Sequence, residues 1–157
     1  MIHPIVQRLE SLGITLPEPA SVAGNYVPFV VAGSLLSVSG QLPLQEGGHL
    51  VQGCLGKSVS EEQGYEAARL CGLHILGQVR SALHGHWSRL LRCVQLSVFV
   101  NATPDFINHP AVANGASDLM VRILGPEVGR HARAATGCPS LPKGACVEVA
   151  ATFWIET

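Results

Sequence analysis

Ile5, Val6, Leu9 and Leu12 recur at helical spacing, which predicts a short amphipathic helix over residues 1–12 that stops near Gly13. Residues 14–25, with two prolines, read as a linker onto the body. Tyr26–Val31 and Leu35–Gln41 are β-prone and separated by Ala32-Gly33-Ser34, which predicts a hairpin. Residues 43–59 hold Gly47-Gly48 and several polar side chains and read as loop. Ser60 with Gln63 three residues later has the form of a capping box. From there Ala68, Cys71, Ile75, Val79, Ala82 and Leu83 form one stripe, predicting a long helix to about His84. Gly72 and Gly77 inside it each cost about 1 kcal/mol relative to alanine, a cost that close packing on a sheet would justify.

The second half alternates first and then turns helical. Over Leu91–Val100 the period of two puts Val94, Leu96, Val98 and Val100 on one face and Cys93, Gln95 and Ser97 on the other. Asn101-Ala102-Thr103-Pro104-Asp105 ends that strand. A second helix is expected over 111–124, broken by Gly125-Pro126, and strands at 132–137 and 145–155 finish the chain. The order β-β-α-β-α-β-β predicts an α+β fold, one sheet packed by two main helices.

At 157 residues the chain is most simply one domain. Its hydrophobic fraction is 47%, yet no apolar run reaches the roughly 18 residues of a membrane span. Apolar surface beyond what one small core needs points to burial between identical subunits. The net charge is −1 and the ten basic residues are scattered, without the patch that phosphate binding leaves. Nucleic acid is therefore a disfavoured partner. The five cysteines form no C-x-x-C pair, and no secretory apolar region opens the chain, so reduced thiols in the cytoplasm are expected. The alternative is a mitochondrial presequence in the first helix. His84-x-His86 beside Trp87 lacks a third ligand nearby, and no phosphate loop, dinucleotide fingerprint or zinc spacing occurs, so neither metal nor cofactor is expected.

The chemistry is expected in the last third. Only 13% of the chain is charged, so Arg133 and Glu148 in small-residue, β-prone segments need a reason. Alternation puts Arg133, Ala135 and Gly137 on one face of their strand. On the last strand Glu148 and Thr152 oppose Val147, Val149, Ala151 and Phe153. A guanidinium suits a carboxylate in two-point contact, and a glutamate can polarise a water. The plainer alternative is that the two charges neutralise each other as an ion pair.

Three blocks in order then resemble one family. Gly24-Asn25-Tyr26-Val27 with Ser37-Val38-Ser39-Gly40-Gln41-Leu42-Pro43 is similar to its N-terminal hairpin. Ser97-Val98-Phe99-Val100 through Phe106 is similar to its central strand and turn, and Ala132–Ala150 to its C-terminal signature. The family is that of the reactive-intermediate (enamine/imine) deaminases, RidA or YjgF type, also known as L-PSP endoribonucleases. The resemblance covers about residues 20–156, leaving 1–19 as N-terminal helix and linker and 20–157 as the family domain. It implies a chorismate-mutase-like homotrimer with clefts between subunits and hydrolysis of 2-imino or enamine acids to 2-keto acids and ammonia. On that reading Arg133 holds the substrate carboxylate. Glu148 and the main-chain carbonyl of Ala135 position water, and Tyr26 and Ser39 shape the pocket. Asn114 either contacts substrate or caps its helix. Ala135 stands where many members carry cysteine, which removes any thiol role there but keeps the carbonyl. The rival readings are an endoribonuclease acting on single-stranded RNA and a non-catalytic binder of small carboxylates.

Overall fold

The computed structural model describes residues 2–19, 22 and 24–157. The first helix, α1 (Pro4–Ser11), starts where His3 Nδ1 accepts from the Ile5 N–H, and it buries Ile5 and Leu9. Gly13, at φ 62°, turns the chain out of it, the left-handed conformation that glycine adopts without a Cβ penalty. The linker then packs on the body, with Leu16 buried and Glu18 bonded to Arg80 at 2.7 Å. The hairpin is β1 (Phe29–Ala32) and β2 (Leu35–Gln41). Its first strand begins later than the pattern suggested, because Pro28 brings no N–H to a ladder and residues 24–26 form a bend.

The long helix, α2 (Glu61–Ala82), opens on the expected capping box: Ser60 Oγ accepts from Gln63 N–H and the Gln63 side chain from Ser60 N–H. Its glycines face something other than a sheet. A Cβ on Gly72 would meet Leu119 and Ala116 of the second long helix, and one on Gly77 the carbonyl of Pro17. That second helix, α3 (His109–Leu124), starts two residues before the expected position, with Pro110 in its first turn. One further turn, α4 (Pro126–Gly129), follows the Gly125 break.

The central strand β3 (Leu90–Asn101) pairs in parallel with β4 (Ala132–Cys138) and antiparallel with β5 (Val147–Ile155). The five-stranded sheet runs β1-β2-β5-β3-β4, so β4 is an edge. The simple alternation expected for β3 fails at one point. The register with β5 shifts between Cys93 and Gln95, and an extra residue there reverses the parity of what precedes it. Cys93 is therefore fully buried with Leu96, Val98 and Val100, while Val94 is 39% exposed.

α2 and α3 cover one face of the sheet over a core that includes Leu36, Ile75, Leu96, Met120 and Phe153. The other face carries no helix among the described residues and exposes Val30, Leu35, Phe99 and Trp154. The 43–59 segment is pinned rather than loose. Leu55 is buried and bridges Ala102, and Asn101 Nδ2 donates to the carbonyls of Gly53 and Ala145. Together these features are an α+β single-domain fold.

Candidate functional site

Arg133 lies at the second position of the edge strand β4, opposite Leu96 of β3. Leu96 is fully buried under the helices, so register directs Arg133 toward the helical side. There its Nη1 donates to Asn114 Oδ1 at 2.7 Å and to Ser117 Oγ at 3.1 Å, both on α3. Asn114 and Ser117 are three residues apart and so share a helix face. Neither Nε nor Nη2 of Arg133 meets an acceptor among the described residues. Because Nη1 is the nitrogen occupied, the free edge is Nε with Nη2, two parallel donors matched to a carboxylate. Asn114 takes the arginine bond on its oxygen, and its amide nitrogen meets no acceptor among the described residues.

The phase of the β3–β4 ladder places the Ala135 carbonyl as well. Ala102 N–H donates to the carbonyl of Cys138, so carbonyls 138, 136 and 134 face β3. Those of Arg133 and Ala135 point outward along the unpaired edge, where a water can reach them.

Glu148 belongs to a different neighbourhood. It is opposite Phe99 of β3, and its neighbours Val147 and Val149 are fully buried, so it leaves the sheet on the face without helices. Its carboxylate lies over Gly40 of β2, with Oε1 in the space a Cβ on residue 40 would take. Half-burial pushes the Glu148 carboxyl above the ordinary carboxylate range, since desolvation penalises the charged form. Ser39, next to Gly40, donates its hydroxyl to the Val27 carbonyl at 2.7 Å and its N–H to that of Pro28 at 2.9 Å. Those two bonds tie β2 to the bend that carries Tyr26, which is 53% exposed.

The expected site residues thus fall into two groups. Arg133, Asn114 and the Ala135 carbonyl gather at the β4 edge; Glu148, Ser39 and Tyr26 gather around β2 and β5. Arg133 and Glu148 are two strands apart, roughly 10 Å across, and on opposite faces. They form no ion pair; the salt bridges among the described residues are Arg69–Glu66 and Arg80–Glu18. Ser117 and His131 were not singled out by sequence, yet both belong to the arginine's surroundings, with Ser117 Oγ 2.9 Å from His131 Nε2. A serine inside a helical stripe and a histidine before a strand carry no pattern that would mark them.

Three of the five cysteines, Cys71, Cys93 and Cys146, are buried packing elements. Burial pushes the thiol of Cys93 up to about 12 and that of Cys146 up to about 11, and raises Cys71 well above its usual value. His84 and His86 are exposed, and among the described residues no three histidine, cysteine or acidic side chains cluster as metal ligands. No described helix is long and apolar enough to cross a membrane.

The model of the family described as "YjgF/chorismate_mutase-like, putative endoribonuclease" matches residues 6–152. Protein TCP17 of Trypanosoma cruzi is 48% identical over 145 residues, 92% of this chain and 90% of that protein. The crystal structure of Atu1372 from Agrobacterium tumefaciens, a protein of unknown function, superposes with a TM-score of 0.89 at 45% identity, covering 98% of this chain and 94% of that one. A "putative endoribonuclease" from Shewanella oneidensis gives a TM-score of 0.92 at 35% identity, covering 98% and 100%.

Proposed function

Since the chain belongs to the RidA/YjgF superfamily, we propose that it hydrolyses small 2-imino acids to 2-keto acids and ammonia, in clefts that two copies of the chain build together. The observation that carries this reading is the unused Nε/Nη2 edge of Arg133, held in place by Asn114 and Ser117 and paired with no carboxylate among the described residues. A substrate carboxylate docks on that edge, and the imine carbon is set beside it. Glu148 of a neighbouring chain takes a proton from a water, and the water oxygen bonds to the imine carbon. The imine reacts in its protonated form, so the adduct is a neutral carbinolamine. Glu148 returns its proton to the amine nitrogen, the C–N bond breaks to release ammonia, and the hydroxyl proton passes back to Glu148 as the keto carbonyl forms. The Ala135 carbonyl holds that water by accepting its second hydrogen. Tyr26 and Ser39 wall the pocket from the side of Glu148. Desolvation favours the reaction, because a carboxylate whose proton affinity is raised is a better base near neutral pH.

A homotrimer is the assembly proposed, a closed ring in which the β4 edge of one chain meets the β2–β5 region of the next. Mutation of the arginine tests the assignment. In an assay coupled to an imine-releasing enzyme, Arg133→Ala is expected to lower kcat/KM on the order of 100-fold, and Arg133→Lys to recover part of it. Wild-type rates in Arg133→Ala would overturn the reading.

Endoribonuclease activity, named in the family description and for the Shewanella oneidensis protein, is the second reading. It requires RNA binding that falls steeply with salt, whereas imine hydrolysis by this site does not. The third, a binder without turnover, predicts keto-acid affinity dependent on Arg133 and no acceleration of imine loss.

A further inference from the structure

The arginine is the first member of a chain of hydrogen bonds whose direction can be worked out atom by atom. At the far end, His131 Nδ1 lies 2.6 Å from the carbonyl of Gly129. A carbonyl can only accept, so Nδ1 carries a hydrogen, and in the neutral ring Nε2 is then a lone-pair acceptor. Ser117 Oγ lies 2.9 Å from that Nε2 and, with the ring neutral, donates its only hydrogen to it. What the serine oxygen has left is lone pairs, and one of them receives Nη1 of Arg133 at 3.1 Å. The sequence of donors therefore runs one way, from Arg133 to Ser117 to His131 to the Gly129 carbonyl.

The last acceptor is fixed. Gly129 is buried and lies flush on α3, where a Cβ would run into the carbonyl of Met120 and the Cα of Val121. The relay thus ties the guanidinium to the rigid junction of α3 and α4 rather than to a mobile side chain. Without His131 as acceptor, the Ser117 hydroxyl is free to rotate, and its hydrogen can turn toward Arg133, where it repels Nη1 instead of accepting from it. Asn114 alone would then leave the plane of the guanidinium free to swing about one bond.

We propose that Ser117 and His131 are positioning residues for anion binding: they fix the orientation of Arg133 so that its Nε/Nη2 edge meets a carboxylate in two-point contact. This rests on the assignment of Arg133 as the carboxylate anchor, and the tests separate the two. The ligand probe is 2-oxobutanoate, compared with its neutral amide, titrated by calorimetry against the whole protein. Ser117→Ala and His131→Leu are each expected to weaken 2-oxobutanoate roughly tenfold while leaving the amide unchanged. The double variant should be no weaker than either single one, since both interrupt the same relay. His131→Gln, whose amide oxygen can accept from Ser117, is expected to stay within about twofold of wild type, which distinguishes orientation from a general loss of packing. If Ser117→Ala and His131→Leu bind 2-oxobutanoate normally while Arg133→Ala does not, the relay is wrong and the anchor stands. If Arg133→Ala also binds normally, the anchor itself is wrong. The direction of the relay has its own measurement, which needs no ligand. Long-range proton–nitrogen NMR of the folded protein should show His131 neutral with its hydrogen on Nδ1; a hydrogen on Nε2, in the neutral or the doubly protonated ring, overturns the proposal.

Discussion

Glu148 is the residue whose environment and proposed task are most tightly coupled. Its carboxylate is half-buried over Gly40 without a hydrogen-bond donor among the described residues, and desolvation raises its pKa. A carboxyl with a raised folded pKa is favoured when protonated. Its relative stabilisation is full below the unfolded value and is lost as the pH rises through the folded one. Glu148→Gln should therefore raise Tm by about 1–3 °C at neutral pH, with the gain fading toward pH 4, as read by thermal melts across that range. A gain that persists unchanged in acid would contradict the burial argument. Gly40→Ala places a methyl group where Oε1 lies and should lower kcat on the order of 100-fold with the fold retained by circular dichroism. At this scale Arg133 and Glu148 were legible, because charges in small-residue strands are costly enough to stand out. Ser117 and His131 were not, because their significance comes from a contact between α3 and the start of β4 that no spacing encodes.

Elements were read well wherever their signals are local. The capping box of α2 and the glycine breaks after α1 and α3 sit where the sequence put them. Ser60→Ala is expected to cost about 1 kcal/mol in a denaturant titration, the usual worth of a lost N-cap. What the sequence hid was which surface each element faces. The glycines of α2 meet α3 and the linker, and Gly115 of α3 meets the backbone of Tyr65 and Arg69 in return. Gly115→Ala should therefore destabilise the fold by about 1–3 kcal/mol, because backbone cannot yield as a flexible side chain does. A neutral result would mean that the helices can part without cost. The reversal of faces at Cys93 was equally hidden, since Cys93 and Val94 are both apolar and nothing between them marks the extra residue.

For the whole molecule, the two separate groups of expected site residues and the bare sheet face motivate the proposed assembly. A monomer leaves Val30, Leu35, Phe99 and Trp154 in water on the same face as Glu148, while Arg133 looks out from the opposite side of the β4 edge. The proposed ring of copies would bury those apolar side chains and bring Arg133 of one chain beside Glu148 of the next. Sedimentation is expected to show a trimer, and Trp154→Glu, which puts a charge into the proposed interface, to shift it toward monomer with loss of imine hydrolysis. The most direct measurement is subunit complementation. Arg133→Ala and Glu148→Gln chains, each inactive alone, are mixed one to one under conditions where mass spectrometry shows hybrid trimers. Random assembly gives an intact Arg133–Glu148 pair at about one cleft in four, so the mixture should recover about a quarter of wild-type activity. Hybrid trimers that remain inactive would contradict a site shared between chains.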